Sequence, residues 1–401
     1  MRRPTLMSSH SSNSSDFIPF ARPCIGEEEA AAAAEVIRSG WLTTGPNARE
    51  FEAKFAEFLG CQYAIAVNSA TAGLHLGLES LGIGPGDKVI TTPFTFTATA
   101  EVIRYLGADP VFADIDPLTL NLDPECLRDA LRRCQAKAII PMHYGGQACD
   151  MDEILALSAE YGCAVMCDAA HAFPAKYKGR FVGALPDDVS VFSFYANKTI
   201  CTGEGGMVAT DRPELANRMK VMRLHGIDRD AFERHRSTTP AWYYRVIAPG
   251  YKYNMPDVAA AIGLKQLAKA ERFRQAREHI AKLYDEALRD CPLRLPVKVR
   301  LDDQHAWHLY VVRLELDRLN INRNQFIDEL SAAGIGTSVH YIPLHLQPYW
   351  QERYDLRRED FPVASRVYEE VVSLPIYPDL SDGDVGRIAD TVSSILSRNE
   401  R

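Results

Sequence analysis

Residues 189–206 read VSVFSFYANKTICTGEGG and place a single lysine, Lys198, where an apolar run gives way to a glycine-rich turn. The valines and phenylalanines at the start predict a short buried strand, and the glycines at the end predict a turn. Burial lowers the pKa of a lysine and makes its amine nucleophilic, which imine chemistry with a carbonyl requires. The alternative is an ordinary lysine that extends from a strand end into solvent.

Length and composition describe a globular protein of 401 residues, of which 46% are hydrophobic and 24% charged. A net charge of -8 argues against nucleic acid or an anionic membrane as the main partner. No apolar run approaches the roughly 18 residues of a membrane span. The serine-rich residues 1–16 lack the apolar centre of a secretory signal and predict a disordered leader. Nine cysteines without a C-x-x-C pair predict reduced thiols and a cytoplasmic protein.

Short apolar strands alternate with helical segments through the first half of the chain. This alternation predicts a mostly parallel sheet covered by helices, in which ligands bind beyond the carboxyl ends of the strands. The predicted strands are 63–67, 88–90, 111–113, 138–140 and 164–167, and the predicted helices are 26–38, 48–59, 98–106, 124–133 and 152–161. Further along the chain, a helical region at 255–290 and a helix at 324–333 accompany three predicted strands at 307–314, 336–341 and 374–377.

Two further strand ends carry candidate site residues. NSATAG at 68–73 links a strand to a helix, so its backbone N–H groups would suit a phosphate, although Ser69 or Thr71 could simply cap the helix. Asp168 directly follows a buried strand and could be a helix cap, a metal ligand or the partner of a cationic ring. His171 is its only neighbour suited to a metal, so a metal site is not expected.

A lysine, a carboxylate and a phosphate cradle at one edge of a sheet match the needs of pyridoxal phosphate (PLP). Lys198 would form the imine, and Asp168 would keep the pyridine nitrogen protonated so that the ring accepts electrons. Phe96 would cover the flat ring, or would belong to the core. A Rossmann dinucleotide site is excluded because no G-x-G-x-x-G follows the first strand.

Five motifs, in this order, resemble those of the DegT-type nucleotide-sugar aminotransferases. The motifs are WLTTGP at 41–46, NSATAG at 68–73, DAAH at 168–171, SFYANK followed by TGEGG within 193–206, and GYKYN at 250–254. APGYKYN at 248–254 and HAWHL at 305–309 are most similar to the enzymes that aminate C4 of a UDP-4-keto sugar, such as the UDP-4-amino-4-deoxy-L-arabinose aminotransferases. Lys198 stands where the dehydratase branch of the family has histidine, which favours transamination.

This resemblance implies a PLP-dependent transferase of fold type I. A mostly parallel seven-stranded sheet would form a large PLP-binding domain at 17–270, and a smaller α+β domain would follow at 271–401. It also implies a homodimer with each active site at the subunit interface.

The same resemblance assigns expected roles to individual residues. Lys198 would bind the cofactor as an imine and shuttle the proton, and Asp168 would pair with the pyridinium nitrogen. Many relatives read GYNYR where this chain has GYKYN, so either Lys252 or Asn254 would reach the phosphate of the partner subunit. The remaining expected cofactor contacts are Ala70, Thr71, Phe96, His171 and Ser193, and the expected substrate contacts are Trp41, Thr43, His308, His340 and Tyr341.

The predicted reaction moves an amino group from L-glutamate, which leaves as 2-oxoglutarate, to a UDP-linked 4-keto sugar. The product would be a 4-amino-4-deoxy sugar nucleotide for a cell-surface polysaccharide or lipid A. A sugar 3-aminotransferase and a GDP- or dTDP-4-keto-6-deoxyhexose aminotransferase are the alternatives from the same fold. A PLP-binding regulator without turnover is the alternative from another class.

Overall fold

The computed structural model describes residues 17–228, 242–298 and 300–401. The predicted leader, 1–16, lies outside the described residues. The helices, numbered α1 to α13 in chain order, are Glu27–Ser39, Pro46–Leu59, Ala70–Ser80, Ala98–Tyr105, Pro124–Arg133, Met151–Tyr161, Pro213–Met222, Asp257–Ala268, Ala270–Ala287, Arg323–Ala332, Pro348–Tyr354, Pro362–Glu370 and Asp382–Asn399. The strands, numbered β1 to β12, are Tyr63–Val67, Lys88–Thr91, Asp109–Phe112, Ala138–Ile140, Ala164–Asp168, Lys176–Tyr177, Arg180–Phe181, Val189–Ser193, Gly206–Thr210, Leu293–Arg294, Tyr310–Leu314 and Val371–Leu374.

Seven strands form the large sheet, in the order β1-β9-β8-β5-β4-β2-β3. Six of them run parallel, and β9 runs antiparallel to both of its neighbours, β1 and β8. The predicted mostly parallel seven-stranded sheet is therefore confirmed. Each strand predicted in the first half of the chain is present, with ends that differ by at most two residues.

Strand β9 follows from the glycine-rich turn after Lys198. The chain leaves β8, turns, and returns between β8 and β1, so that Gly206 lies opposite both Ser193 and Val67. A side chain at Gly206 would lie 2.8 Å from the backbone nitrogen of Ala70 and 2.8 Å from the carbonyl oxygen of Phe192. Only glycine allows this close approach of three backbone segments, and the motif therefore ties β8 to the start of α3.

An aromatic cluster supports β8 from one face of the sheet. Phe55 of α2 is fully buried and lies 5.3 Å from Phe192 and 5.6 Å from Phe194, measured between ring centroids. On the other face, a side chain at Gly73 of α3 would lie 2.7 Å from Val191, so this glycine lets the helix pack directly on the strand. Rigid packing on both faces fixes the direction in which β8 delivers Lys198.

The second sheet has three antiparallel strands in the order β10-β11-β12. Of the predicted strands, 307–314 is shortened to Tyr310–Leu314, and Leu293–Arg294 was not foreseen. The prediction of a strand at 336–341 is wrong, since this segment makes a single bridge, from Ser338 to Ser373, before it turns into the site. The predicted edge strand at 374–377 is displaced to Val371–Leu374, because Pro375 has no N–H group to continue the ladder.

The predicted helical region at 255–290 divides into α8 and α9, with Lys269 between them. The expected limit between a large domain at 17–270 and a small one at 271–401 falls at this break and stays a prediction. None of the helices in the described ranges is long and apolar enough to cross a membrane.

Candidate active site

A cavity of about 500 Å³ lies beyond the carboxyl ends of β5 and β8, beside the start of α3. Asp168 is the last residue of β5, and Lys198 follows β8 by a short turn in which its N–H donates to the carbonyl of Tyr195 at 2.9 Å. The cavity gathers most of the residues singled out in the sequence, namely Ala70, Thr71, Phe96, Asp168, His171, Ser193, Lys198, His340 and Tyr341.

The Asp168 carboxylate is buried and held by two donors. The hydroxyl of Thr99 donates to one oxygen at 2.7 Å, and the N–H of Ala170 donates to the other at 3.1 Å. Burial raises the pKa of Asp168, while the bond from Thr99 and the charge of Lys198 act in the opposite direction. The arrangement suits a carboxylate that pairs with a cationic group brought into the cavity.

The Lys198 amine is buried in the cavity and is its candidate nucleophile. Burial lowers its pKa to about 8, although the charge of Asp168 opposes this change. Its Nζ lies 3.4 Å from Nε2 of His308. An amine with this pKa is partly unprotonated near neutral pH, so it can attack a carbonyl and then accept or return a proton.

Three buried histidines surround the amine without adding charge. Burial lowers the pKa of His171, His308 and His340, and the charge of Lys198 adds to the effect. The Nδ1 atom of His171 accepts the N–H of Gly145 at 3.3 Å, so Nε2 carries the proton and donates to the Tyr341 hydroxyl at 2.7 Å. His171 therefore sits in the cavity as a neutral, fixed ring.

The start of α3 forms the other end of the cavity. Ser69 is the N-cap, and its hydroxyl accepts the N–H of Ala72 at 3.1 Å. Ser69 thus caps the helix and also lines the cavity, together with Ala70 and Thr71. N–H groups in the first turn of a helix have no partner within the helix and attract anions.

These residues fit PLP. A buried carboxylate, a buried amine with a lowered pKa and a helix start are the three groups that the cofactor needs, and Gly206 leaves the backbone of Ala70 uncovered. Asp168 would hold the ring nitrogen, Lys198 the carbonyl carbon, and Ala70, Thr71 and Ser193 the phosphate. When bound, the cofactor supplies an electron sink for the carbon that loses its proton.

Phe96 lies at the mouth of the cavity with 57% of its surface exposed. The alternative that it belongs to the core is therefore wrong. It also lines an adjoining groove of about 900 Å³, to which Tyr105, Tyr349 and Arg104 contribute. Phe96 and Tyr341 line both spaces, so the groove lies directly beside the cavity.

Four of the expected contacts lie away from the cavity of their own chain. The amide of Asn254 donates to the Thr44 hydroxyl at 2.6 Å, and the indole of Trp41 donates to the Thr44 carbonyl at 3.3 Å. The side chains of Lys252 and Thr43 are exposed. The WLTTGP and GYKYN motifs thus come together beside the end of β1, where Asn254 bridges Val67, and the expected roles of these four residues stay predictions.

The sequence analysis missed two polar residues near the cavity, Thr99 and Arg277. Thr99 belongs to a hydroxyl-rich run at 91–99, and the concentration of hydroxyls directly before a predicted helix was the available signal. Arg277 occupies a core-facing position of α9, between Phe273 and Ile280. A charged residue in an apolar stripe was the signal there.

Within 17–228, 242–298 and 300–401, no group of three or more histidine, cysteine or acidic side chains is arranged to hold a metal ion. Coordination by Asp168 and His171 alone would leave two of the four positions of a tetrahedral site unfilled.

Residues 23–393 match the model of the DegT/DnrJ/EryC1/StrS aminotransferase family. The chain is 49% identical over 383 residues to the uncharacterized protein MJ1066 of Methanocaldococcus jannaschii, covering 96% of this chain and 98% of the relative. It is 46% identical over 381 residues to the spore coat polysaccharide biosynthesis protein SpsC of Bacillus subtilis, covering 95% and 97%.

Two solved structures show the same fold. The PMP form of the putative sugar aminotransferase Spr1654 from Streptococcus pneumoniae has a TM-score of 0.88 at 32% identity, covering 95% of this chain and 99% of that one. Helicobacter pylori PseC, an aminotransferase involved in the biosynthesis of pseudaminic acid, has a TM-score of 0.87 at 30% identity, covering 96% and 100%. Spr1654 has also been solved in a PLP form.

Proposed function

Because the chain belongs to the DegT/DnrJ/EryC1/StrS aminotransferase family and is a PLP-dependent sugar aminotransferase, we propose that it aminates carbon 4 of a UDP-linked 4-keto sugar. L-Glutamate would supply the amino group and leave as 2-oxoglutarate. The product would be a 4-amino-4-deoxy sugar nucleotide. The likeness to SpsC, named for spore coat polysaccharide biosynthesis, supports a use in a cell-surface polysaccharide, and the enzyme would work in the cytoplasm.

The observation that carries this proposal is the groove of about 900 Å³ that lies beside the cavity and shares Phe96 and Tyr341 with it. A free amino acid needs no space of this size beside the reacting amine. The exposed rings of Phe96, Tyr105 and Tyr349 line the groove, and aromatic faces are suited to stack on a nucleobase. The keto sugar would then reach Lys198 past Phe96 and Tyr341, whose ring centroids lie 6.0 Å apart, while the nucleotide stays in the groove.

A panel of UDP-, GDP- and dTDP-linked 4-keto and 3-keto sugars would test the substrate. The enzyme is first converted with L-glutamate, and each sugar is then added in a single turnover, with the aminated carbon located by NMR. We expect the UDP-4-keto sugars to react fastest. Tyr349→Ala should raise the KM for the nucleotide sugar about tenfold, through a lost stacking contact, whereas Leu118→Ala, an exposed side chain outside the groove, should not. Preference for another nucleotide, or amination at carbon 3, would contradict the proposal.

We also propose that the enzyme is a homodimer in which Lys252 or Asn254 of one subunit reaches the cofactor phosphate of the other. The position of both residues outside the cavity of their own chain supports this. Mixing the Lys198→Ala protein with the Asn254→Ala protein tests it, because a hybrid dimer would contain one site with neither change. We expect the mixture, after subunit exchange, to recover activity that neither protein has alone; the same experiment with Lys252→Ala tells which residue crosses. No recovery in either mixture would contradict the shared site.

A further inference from the structure

Arg277 is a buried cation without a carboxylate. Arg277 is 3% exposed, and it takes part in none of the ion pairs among the described residues. Burial lowers its pKa to about 10. Arg274, one turn earlier on the same helix, is paired with Glu271 and Glu278. A buried charge without a counter-ion is costly, so Arg277 is expected to have a specific task.

The guanidinium of Arg277 binds three backbone carbonyls through one nitrogen. Its Nη1 donates to the oxygens of Trp307 at 3.2 Å, His308 at 3.3 Å and Ile376 at 2.8 Å. Trp307 has a φ of 51°, in the left-handed region that a large side chain rarely adopts. The arginine therefore holds a turn that the sequence would not adopt without support.

The opposite side of this turn lies on Gly145 and Gly146. Leu309 donates its N–H to the carbonyl of Gly145 at 3.0 Å, and Ala306 donates to Gly146 at 2.9 Å. A side chain at Gly146 would lie 3.0 Å from the nitrogens of Trp307 and His308. The turn is thus clamped between α9 and the glycine pair whose N–H group also fixes His171.

His308 depends on this clamp more than the other two histidines do. His171 is oriented by Gly145 and Tyr341, and Nδ1 of His340 lies 2.9 Å from the Ser373 hydroxyl. His308 has its Nε2 3.4 Å from Lys198, but its buried Nδ1 has no hydrogen-bond partner among the described residues. With no second hydrogen bond, the ring is held by its packing on His171, 4.3 Å between ring centroids, and by the backbone that Arg277 binds.

We propose that Arg277 is a positioning residue for transamination, which fixes the Trp307–His308 turn so that the His308 ring stays against the Lys198 amine. This inference rests on the proposed role of Lys198 in the reaction. The His308 ring would accept a hydrogen bond from the Lys198 amine, so that the lone pair of the amine is directed into the cavity. His308 would then be a positioning residue rather than a substrate contact. If its role were purely structural, Arg277 would only donate hydrogen bonds to the three carbonyl oxygens, without an effect on Lys198.

Single-turnover reaction of the holoenzyme with L-glutamate tests the proposal without any sugar. We expect Arg277→Met and His308→Gln each to slow this half-reaction about tenfold to hundredfold, because a displaced amine reacts poorly. The double variant should lose no more than about threefold beyond the single ones, since both changes break the same connection. Arg274→Met, on the same helix, should stay within about threefold of the parent.

Labelling of the cofactor-free protein gives a second readout. The pH dependence of Lys198 modification by an amine reagent, located by mass spectrometry, should have its midpoint near 8 in the parent protein. The charges of Asp168 and Arg277 act on this amine in opposite directions, and the three histidines are neutral, so Arg277→Met should move the midpoint to higher pH. Arg274→Met should not move it.

Three results would overturn the proposal: equal effects of Arg277→Met and Arg274→Met, additive losses in the double variant, or an unchanged labelling midpoint in a folded Arg277→Met protein. If Arg277→Met does not fold, Arg277→Lys, which keeps the charge but spans the three carbonyls poorly, and His308→Gln decide by the single-turnover rates alone. Turnover by Lys198→Ala, or a parent enzyme that does not react with L-glutamate, would contradict the proposed function, while the labelling profile would still judge Arg277.

Discussion

The hydroxyl of Thr99 donates a 2.7 Å hydrogen bond to the carboxylate of Asp168, and both side chains are buried. Thr95 lies 2.8 Å behind Thr99, hydroxyl to hydroxyl, so the donor is itself held in place. This bond opposes the effect of burial on the pKa of Asp168. The Asp168 carboxylate is the group expected to pair with the cofactor ring. Its ionisation therefore depends on Thr99, a residue of α4.

Thr99→Val should therefore weaken cofactor binding. A hydrogen bond to a charged group contributes about 1.5–3 kcal/mol, so the affinity for PLP is expected to fall about tenfold to hundredfold. Titration of the cofactor-free protein with PLP, followed by absorbance, measures this. Thr99→Ser keeps the hydroxyl and is the matched control. Equal affinities for the two variants would show that the bond does not support Asp168.

Lys198→Ala should abolish the visible absorbance of the bound cofactor and lower turnover at least about a thousandfold, because the amine is proposed as both nucleophile and proton carrier. Lys198→Arg keeps a positive charge without an attacking amine and should behave in the same way. Lys176→Ala is the control, since this lysine lies 4.4 Å from the centre of the Phe181 ring and outside the cavity. A Lys198 variant that still transaminates would remove the residue from this role.

His345 should make stability depend on pH. The ring is fully buried, with Nε2 2.7 Å from the Ser365 hydroxyl, and burial lowers its pKa to about 4 from an ordinary value near 6.5. Between these values the unfolded chain binds a proton that the folded chain does not, so stability is lost as the pH falls from 6.5 towards 4.

His345→Gln should remove that part of the loss, up to about 3 kcal/mol across the window. Denaturant unfolding of the cofactor-free protein at pH 7, 6, 5 and 4 measures the free energy of unfolding for both proteins. His279→Gln, whose ring is exposed, is the control and should leave the slope unchanged. Parallel pH profiles for His345→Gln and the parent protein would contradict the assignment.

Two glycine-to-alanine changes should act in opposite directions. At Gly206 the new methyl group would meet three backbone atoms within 3.0 Å, so overpacking should destabilise the fold by about 1–3 kcal/mol. At Gly386, in α13, no atom lies within 4 Å, and alanine should stabilise the helix by about 0.5–1 kcal/mol. Thermal unfolding of both variants measures the difference. An alanine tolerated at Gly206 would show that β9 does not need the close approach.

The large sheet was predictable because its signals are local. Short apolar runs bounded by helical segments identify parallel strands, and a residue that follows such a run, such as Asp168, must lie at the carboxyl edge. The common location of Asp168 and Lys198 followed from this rule alone. The predicted strand at 336–341 failed because a mixed segment of this length resembles a strand, whereas its pairing is decided by contacts distant in sequence.

The positions of His308 and Arg277 relative to the Lys198 amine could not be predicted from the sequence. The distance between Lys198 and His308 joins positions 110 residues apart, and it is set by how α9 lies against the turn at 307–308. Arg277 showed only as a charge at a core-facing position, which says that it is buried but not what it holds. Trp307 gives no local sign of its left-handed backbone, because that conformation is imposed by the surrounding contacts.

Gly206, the first residue of β9, lies opposite both Val67 and Ser193 in the sheet. Val67 is the last residue of β1 and Ser193 the last residue of β8, and both strands lead into the site. The start of α3, which follows β1, and Lys198, which follows β8, are therefore held in register by the hydrogen bonds that join both strands to β9. A slip of one position would invert the alternation of β9 and displace both ends together. The distance between the two ends is therefore set by the sheet and not by the loops around the cavity.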